Sequence, residues 1–233
     1  MSHNIPKTKS LYAYEAIKDS ILLGEYQPDE RLVLKDLSKS LSLSAIPLRE
    51  SLNNLEKDGL VIQTPHQGFR VAPLSVNEFE ELLAIRLSLE ITALPHIIKN
   101  ITYKQIHHLT SLTEEMYSYW EKTKDSPASF AIQKEFMTMN KELHIGMASA
   151  SQLTHLPGML TRVFDLSHRY MNIMEHIVGI GEVDVREHVE MVSLIKDKNE
   201  EKLKKLLESH YQRVITEFKK TSAKFFGKDI TTH

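Results

Sequence analysis

Four polar residues in the C-terminal half of the chain have the types and the spacing of a metal site. Asn140 and His144 are four positions apart, so on one helix their side chains lie on the same face and reach toward one point. His188 and His210 follow on two later segments with helical patterns. Three neutral imidazoles and one oxygen donor, brought together from three helices, suit a divalent transition metal such as Zn²⁺ or Ni²⁺.

The alternative for any single histidine is an ordinary place on a helix surface. We predict that alternative for four others, namely His107, His108, His155 and His168. A further one, His176, fits either a pocket or the solvent. For residues 144, 188 and 210 the alternatives are a shared metal site and separate surface positions, and their joint spacing is compatible with the metal site.

Helices must position these residues, and the pattern after residue 74 predicts six of them. Apolar residues recur there at the three- and four-residue spacing of a helix that buries one face. The predicted helices span residues 76–100, 103–124, 127–150, 154–178, 182–197 and 200–219. Short polar links between helices are typical of a bundle rather than of an α/β enzyme. We expect an all-α domain over residues 75–222, with fraying from residue 221 and a disordered tail over residues 223–233.

The first third of the chain has the order of a winged helix-turn-helix. Ser44 is placed to cap a helix, and Gly59 supplies the positive φ that a helix C-terminus often needs. Two helices and two strands of this motif are predicted over residues 34–41, 45–58, 60–62 and 69–71. The chain is therefore predicted to be mainly α, with three helices and a small β-hairpin in residues 1–74, followed by the six-helix bundle.

These residues resemble the signature of the GntR family of bacterial transcription regulators, in its FadR-like branch. The resemblance lies in residues 43–52 (LSAIPLRESL), 55–61 (LEKDGLV) and the hairpin tip 66–68 (HQG), and residues 14–32 are similar to the family's first helix and closing turn. It implies that the helix from Ala45 enters the major groove of double-stranded operator DNA. The implied DNA contacts are Lys35, Ser44, Arg49, His66, Gln67 and Gly68.

Two of these DNA contacts also have a purely structural interpretation. Arg49 would point its guanidinium at a base edge or a phosphate, or would form a salt bridge with Asp36 or Glu50. Gly68 would contact the DNA backbone, or would serve only the φ of its turn.

The start of the second helix departs from the family. Ala45 stands where the family usually has Arg, and Ile46 replaces a small polar residue. Since a guanidinium is a strong reader of guanine, we expect the operator to differ from the one that the family commonly binds.

The second half of the chain resembles the metal-binding FCD effector domain of FadR-like regulators. That domain combines an Asp-x-x-x-His pair with a Glu-His step and a later His, and here Asn140, His144, the step from Glu187 to His188, and His210 stand at those positions. Asn140 replaces the usual Asp and so removes one negative charge. The resemblance then implies weaker metal affinity, or a site that is empty in the cell, and a residual positive charge that favours an anionic ligand.

Arg86 is the first candidate for binding that anion. With Glu90 it forms an i,i+4 pair, which on a solvated helix is only a small local stabiliser. Flanking apolar residues indicate a face turned partly inward, and the resemblance implies an Arg at this place in FCD domains. Its planar fork matches a carboxylate. Arg162 and Asn172 are further candidates for the effector site, with exposure to solvent as their alternative.

Composition and charge set the remaining bounds. The 233 residues are 41% hydrophobic, include no Cys and carry a net charge of −2. We expect a cytoplasmic protein without a membrane segment or disulfides. The first 74 residues contain nine Lys or Arg and nine Asp or Glu, a weak basis for binding DNA phosphates. We therefore expect moderate DNA affinity that depends on a homodimer.

The function expected from these patterns is that of a ligand-responsive transcription regulator. It would be a homodimeric repressor that a small carboxylate effector, bound at or near the metal, releases from DNA. The alternative is a metal-dependent hydrolase built on the three histidines. No His-Glu-x-x-His arrangement occurs and no general base is placed beside the metal, so the sequence does not favour an enzyme.

Overall fold

The computed structural model describes residues 8–126, 129–178 and 180–225, apart from the side chains of residues 130, 172–178 and 223–225. The chain divides into two compact units, Met1–Leu74 and Ser75–His233, and each is described by itself. The prediction of a mainly α chain, with a winged helix-turn-helix before a six-helix bundle, is confirmed. None of the described helices combines the length and apolar composition needed to cross a membrane.

The first unit contains three helices and a small antiparallel sheet. Its elements are α1 (Lys9–Leu22), β1 (Arg31–Leu32), α2 (Leu34–Leu41), α3 (Ala45–Lys57), β2 (Val61–Thr64) and β3 (Gly68–Val71). The sheet order is β1-β3-β2, so the expected two-stranded hairpin gains a third strand. β1 was missed because its two residues are too few to show the alternation that predicts a strand.

The turn between α2 and α3 is fixed by local hydrogen bonding. Ser42 adopts the left-handed conformation at φ 55°, and the Ser38 hydroxyl donates to the Leu43 carbonyl at 2.6 Å. Ser44 occupies the N-cap position of α3, but its side chain makes no capping hydrogen bond, so that part of the prediction is wrong. Gly59 follows α3 at φ 81°, as its place after the helix predicted.

Burial along α3 explains how that helix is held. Leu48, Leu52 and Leu55 are fully buried, at the spacing that places them on one face. The Ser51 hydroxyl, also buried, contacts the carbonyls of Ser10 and Pro47 at 2.6 and 2.7 Å. The inner face of α3 is thereby anchored on α1, and its outer face is left for other contacts.

Six helices form the second unit. They are α4 (Val76–Asn100), α5 (Tyr103–Thr123), α6 (Phe130–Ala150), α7 (Leu156–Val178), α8 (Glu182–Lys196) and α9 (Glu200–Phe225). α4 continues through Pro95. α6 begins after the N-cap Ser129, and its expected start at residue 127 lies outside the described residues. Fraying from residue 221 is wrong for Thr221 and Ser222, which are helical and buried. Residues 226–233 of the expected tail lie outside the description.

α4 packs against three of the other helices, α6, α7 and α9. Near the start of α4, the Phe79 ring stacks on Tyr170 of α7 at a centroid distance of 5.0 Å. It packs at an angle against Phe218 of α9, at a centroid distance of 4.2 Å. α8 packs against α5 and α9. This arrangement brings the inward faces of α4, α6, α8 and α9 together in the middle of the bundle.

Candidate functional site

Three buried histidines meet at the centre of the bundle. His144 comes from α6, His188 from α8 and His210 from α9, and one ring nitrogen of each lies within 4.8 Å of the other two. The Nε2 atoms of His144 and His188 are 3.3 Å apart. The sequence predicted these residues as metal ligands, and the fold brings them together at one point.

Two carboxylates orient two rings of the three-histidine cluster, those of His144 and His210. Glu90 Oε2 lies 3.0 Å from Nδ1 of His144, and Glu187 Oε2 lies 2.6 Å from Nδ1 of His210. Each carboxylate accepts a hydrogen bond, so the proton of each ring is held on Nδ1 and Nε2 presents a lone pair. Such carboxylate–histidine pairs support many metal sites.

The surroundings lower the pKa of two of the imidazoles, His144 and His188, and of the two carboxylates, Glu90 and Glu187. Burial, together with the nearby His210 and His144, holds the pKa of His188 well below its ordinary value. Burial also lowers the pKa of His144. Burial would raise the pKa of Glu90, but the attraction of His144, its hydrogen bond and the charge of Arg86 together lower it. Neutral imidazole is the form that binds a metal.

Asn140 completes a donor set that fits a metal ion. It is buried one turn before His144 on α6, and its Oδ1 has no hydrogen-bond partner in the described part of the chain. In a tetrahedral zinc site with bonds of about 2.0–2.1 Å, neighbouring nitrogen ligands are about 3.3–3.4 Å apart, as His144 and His188 are here. The three imidazole nitrogens, with the unsatisfied amide oxygen of Asn140 as a candidate fourth donor, have the donor types that Zn²⁺ or Ni²⁺ would bind.

Arg86 lies inside the bundle rather than on a solvated helix surface. Its guanidinium is 3.8 Å from the centroid of the Phe164 ring and donates from Nη1 to the Ser167 hydroxyl at 3.1 Å. Its Nε has no partner among the described residues. Glu90, four positions further along α4, is also buried, so both residues face the bundle interior. The Nε–H of Arg86 remains available to a ligand.

The other effector candidates are not brought to this place. Arg162 is exposed on α7, the alternative that the sequence analysis gave for it, and the Asn172 side chain lies outside the described residues, as does that of His176. His168 is buried, which corrects the prediction of a surface position. The remaining three histidines predicted at the surface are exposed: His107, His108 and His155.

The winged unit gathers most of the predicted DNA contacts around one groove. The groove has a volume of about 460 Å³ and lies between the wing and the helix-turn-helix. Five of the six predicted contacts line it: Lys35, Arg49, His66, Gln67 and Gly68. Ser44 does not, although it is exposed at the start of α3. Gly68 has a φ of 83°, so it also serves the turn.

Arg49 is available for DNA. Its side chain is exposed, and neither Asp36 nor Glu50 forms a salt bridge with it in the described structure. Two further candidates were missed by sequence reasoning. Arg31 lines the same groove but belongs to the unpredicted strand β1, and Ile46 is 72% exposed in the first turn of α3. An apolar side chain at that place can contact a thymine methyl.

The carboxylates near the histidine cluster do not provide a general base for hydrolysis. Glu187 is engaged by His210 and by Arg213, which also binds Asp184 at 2.7 Å. Glu142 is exposed and pairs with His108 at 3.2 Å. The hydrolase alternative therefore gains no support from the described residues.

Comparisons with known proteins match both units. The model for bacterial regulatory proteins of the gntR family matches residues 9–71, and the FCD domain model matches residues 81–213, more than half of the chain. The transcriptional regulator YdhC of Bacillus subtilis is 29% identical over 88% of this chain and 89% of its own length. The transcriptional repressor GlaR of Escherichia coli is 26% identical over 82% of this chain and 81% of its own length.

A solved structure shows the same fold. McbR (YncC) of Escherichia coli superposes with a TM-score of 0.78 at 20% identity and covers 92% of this chain and 98% of that chain. Sequence signature, fold and family models agree over both units. The chain thus belongs to the GntR family of bacterial regulatory proteins, in the group with an FCD domain, and it is a DNA-binding transcription regulator and not an enzyme.

Proposed function

We propose that this regulator is a homodimeric repressor that a small organic acid releases from its operator, and that the acid binds in the bundle beside a divalent metal. One observation carries the proposal: a buried three-histidine cluster and a buried guanidinium with a free donor lie within the same bundle. With neutral histidines and Asn140, a bound dication keeps most of its charge. An anion is the ligand that such an interior would stabilise.

Operator binding is assigned to the groove between the wing and α3. Arg31, Lys35 and Arg49 concentrate positive charge there, although the unit as a whole is balanced. Arg49 follows Ile46 by three positions on the exposed face of α3, so both would face the same stretch of major groove. Because the winged unit carries equal numbers of basic and acidic residues, this local positive charge gives only a modest attraction for DNA phosphates.

A homodimer would supply the missing affinity by placing two winged units on two half-sites. The outer face of α4 is consistent with a subunit contact, since Ile85 is exposed there together with the small residues Ser88 and Thr92. Repression is the direction that we favour because the relative GlaR is described as a repressor. A protein of this kind acts on chromosomal DNA in the cytoplasm.

Release from DNA requires that the acid bind more tightly to the conformation that does not fit the operator. The coupling is the difference in the acid's affinity for the two states, and DNA weakens acid binding by the same factor. Arg86 is placed for this role because it joins α4 to Ser167 of α7. An acid that draws the guanidinium away from Ser167 changes how these two helices contact each other.

Loss of the Arg49 guanidinium should weaken specific DNA binding. Arg49→Ala should cost about 1–3 kcal/mol of operator affinity if Arg49 contacts a base, with unchanged folding because the side chain is exposed. Lys204→Ala removes one positive charge from the exposed face of α9 and is the matched control. The measurement is fluorescence anisotropy with DNA from upstream of the protein's own gene and with a scrambled duplex. Equal loss by both variants, or no preference for the upstream DNA in wild type, would contradict the assignment.

Metal content should depend on the four proposed ligands. We expect the purified protein to bind Zn²⁺ or Ni²⁺, His188→Ala and His210→Ala to lose it, and Asn140→Asp to bind it more tightly because a carboxylate adds a negative charge. His155→Ala, which alters an exposed histidine, should bind like wild type. Competition with a fluorescent chelator gives the affinities. Failure of both wild type and Asn140→Asp to take up either metal would refute the metal site.

The metal-free protein should lose stability as the solution is acidified. The folded-state pKa of His188 is lowered, so its contribution to stability is complete above the unfolded pKa of about 6.5 and decreases as pH falls below it, since the unfolded chain takes up a proton that the folded chain excludes. Glu90, also with a lowered pKa, contributes a similar loss only at lower pH. Melting temperatures in chelator should fall below about pH 6.5, with a shallower fall for His188→Gln than for the surface variant His155→Gln. Parallel curves for the two variants would exclude His188 as the cause.

The response to an organic acid should require Arg86. In a thermal-shift screen of hydroxy- and dicarboxylic acids, an acid that stabilises wild type should not stabilise Arg86→Met, which keeps an unbranched apolar side chain at this buried position but has no guanidinium. Arg162→Met, which changes an exposed arginine of α7, should respond like wild type. Operator binding without acid should persist in both variants. If the Arg86 variant responds at the same acid concentrations as wild type, the anchor lies elsewhere.

A further inference from the structure

One side chain in the bundle is polar, buried and without a hydrogen bond. Gln133 is 3% exposed on α6, and neither its Oε1 nor its Nε2 has a partner in the part of the chain that the structure describes. Buried polar groups in proteins are nearly always satisfied, because removal from water without a new hydrogen bond is costly. A carboxamide in this state is a candidate for binding a polar group of a ligand.

The position of Gln133 on α6 connects it to the metal centre. Gln133, Asn140 and His144 are seven and four positions apart, which places the three within an arc of about 40° on a helix of 3.6 residues per turn. They therefore face the same part of the bundle interior. At 1.5 Å per residue, Gln133 lies about 10 Å along the helix axis from Asn140.

Met137 fills the interval between these two amides. It is fully buried on the same side of α6, and its sulfur lies 4.0 Å from Nδ2 of Asn140. An unbranched thioether adapts its shape more readily than a branched or aromatic side chain. An aliphatic chain that runs along α6 between the two amides would have to displace the Met137 side chain, which can change its shape at low cost.

We infer that Gln133 is a second anchor for the effector, which is an elongated aliphatic acid with a hydroxyl group at its far end. The inference rests on the proposed function. The carboxylate lies at the metal end of the bundle interior, where Nε of Arg86 is a hydrogen-bond donor without a partner among the described residues. The hydroxyl lies about 10 Å away at Gln133. A hydroxyl both donates and accepts, so it matches both orphaned atoms of a carboxamide, whereas a second carboxylate only accepts.

The test compares octanoate with ω-hydroxyoctanoate, two probes that differ only at the far end. Isothermal titration calorimetry on the full chain, with added Zn²⁺, should show the hydroxy acid binding wild type about tenfold more tightly. Gln133→Met should bind the two acids equally. Butanoate and ω-hydroxybutanoate are too short to reach Gln133, and should not differ from each other in either protein. Equal binding of the two longer acids by wild type, binding of neither, or a preference that survives in Gln133→Met would overturn the inference.

A ligand-free measurement separates this role from a structural one. Gln133→Met removes an unsatisfied buried carboxamide, so its melting temperature should exceed that of wild type by about 2–8 °C. Leu143→Met, a volume-conserving change of a buried residue on the same helix, should give no gain. A lower melting temperature for Gln133→Met would show that the side chain has structural partners. Operator binding without acid is measured for wild type and for Gln133→Met. If neither protein binds the operator, the proposed function is rejected as well as this inference.

Discussion

The architecture of the bundle depends on one buried carboxylate, that of Glu90. It accepts hydrogen bonds from the Tyr211 hydroxyl at 2.5 Å and from Nδ1 of His144 at 3.0 Å, and Arg86 lies one turn before it on α4. A charge in the interior is tolerated only when it is paired and hydrogen-bonded, so α4, α6 and α9 must keep the arrangement that satisfies this group. The same arrangement turns Nε2 of His144 toward His188. The contact that stabilises the bundle is thus also the contact that prepares its metal site.

A short series of contacts leads from this centre to the end of the bundle where the chain joins the winged unit. Arg86 donates to Ser167 of α7, and three residues further along α7 the Tyr170 hydroxyl accepts from the backbone N–H of Ser75 at 3.1 Å and donates to Glu78. Ser75 is both the N-cap of α4 and the first residue of the second unit. A ligand that alters the contact between Arg86 and Ser167 therefore changes how α7 packs on α4. α7 also holds the start of α4, through Tyr170. This gives the proposed coupling a physical route, which still requires two states with different ligand affinity.

Sequence reasoning succeeded where a pattern is local or where spacing alone decides which residues meet. The helical periodicity located the six helices to within a few residues at most ends, and the four-residue step from Asn140 to His144 placed both on the buried face of α6. It failed where burial depends on tertiary packing. The pattern of α7 carries no signal that His168 is buried, and Gln133 was not singled out because the pattern does not reveal that its carboxamide lacks a partner.

Metal X-ray absorption spectroscopy on the full chain loaded with Zn²⁺ would identify the metal ligands themselves rather than the effect of losing one. We expect three imidazole nitrogens and at least one oxygen at about 2.0–2.1 Å from the metal. We also expect the imidazole count to fall by one in His144→Ala, whose ring is held by Glu90. A spectrum with fewer than three imidazoles in wild type, or one that His144→Ala leaves unchanged, would contradict the claim that the three-histidine cluster is a metal centre.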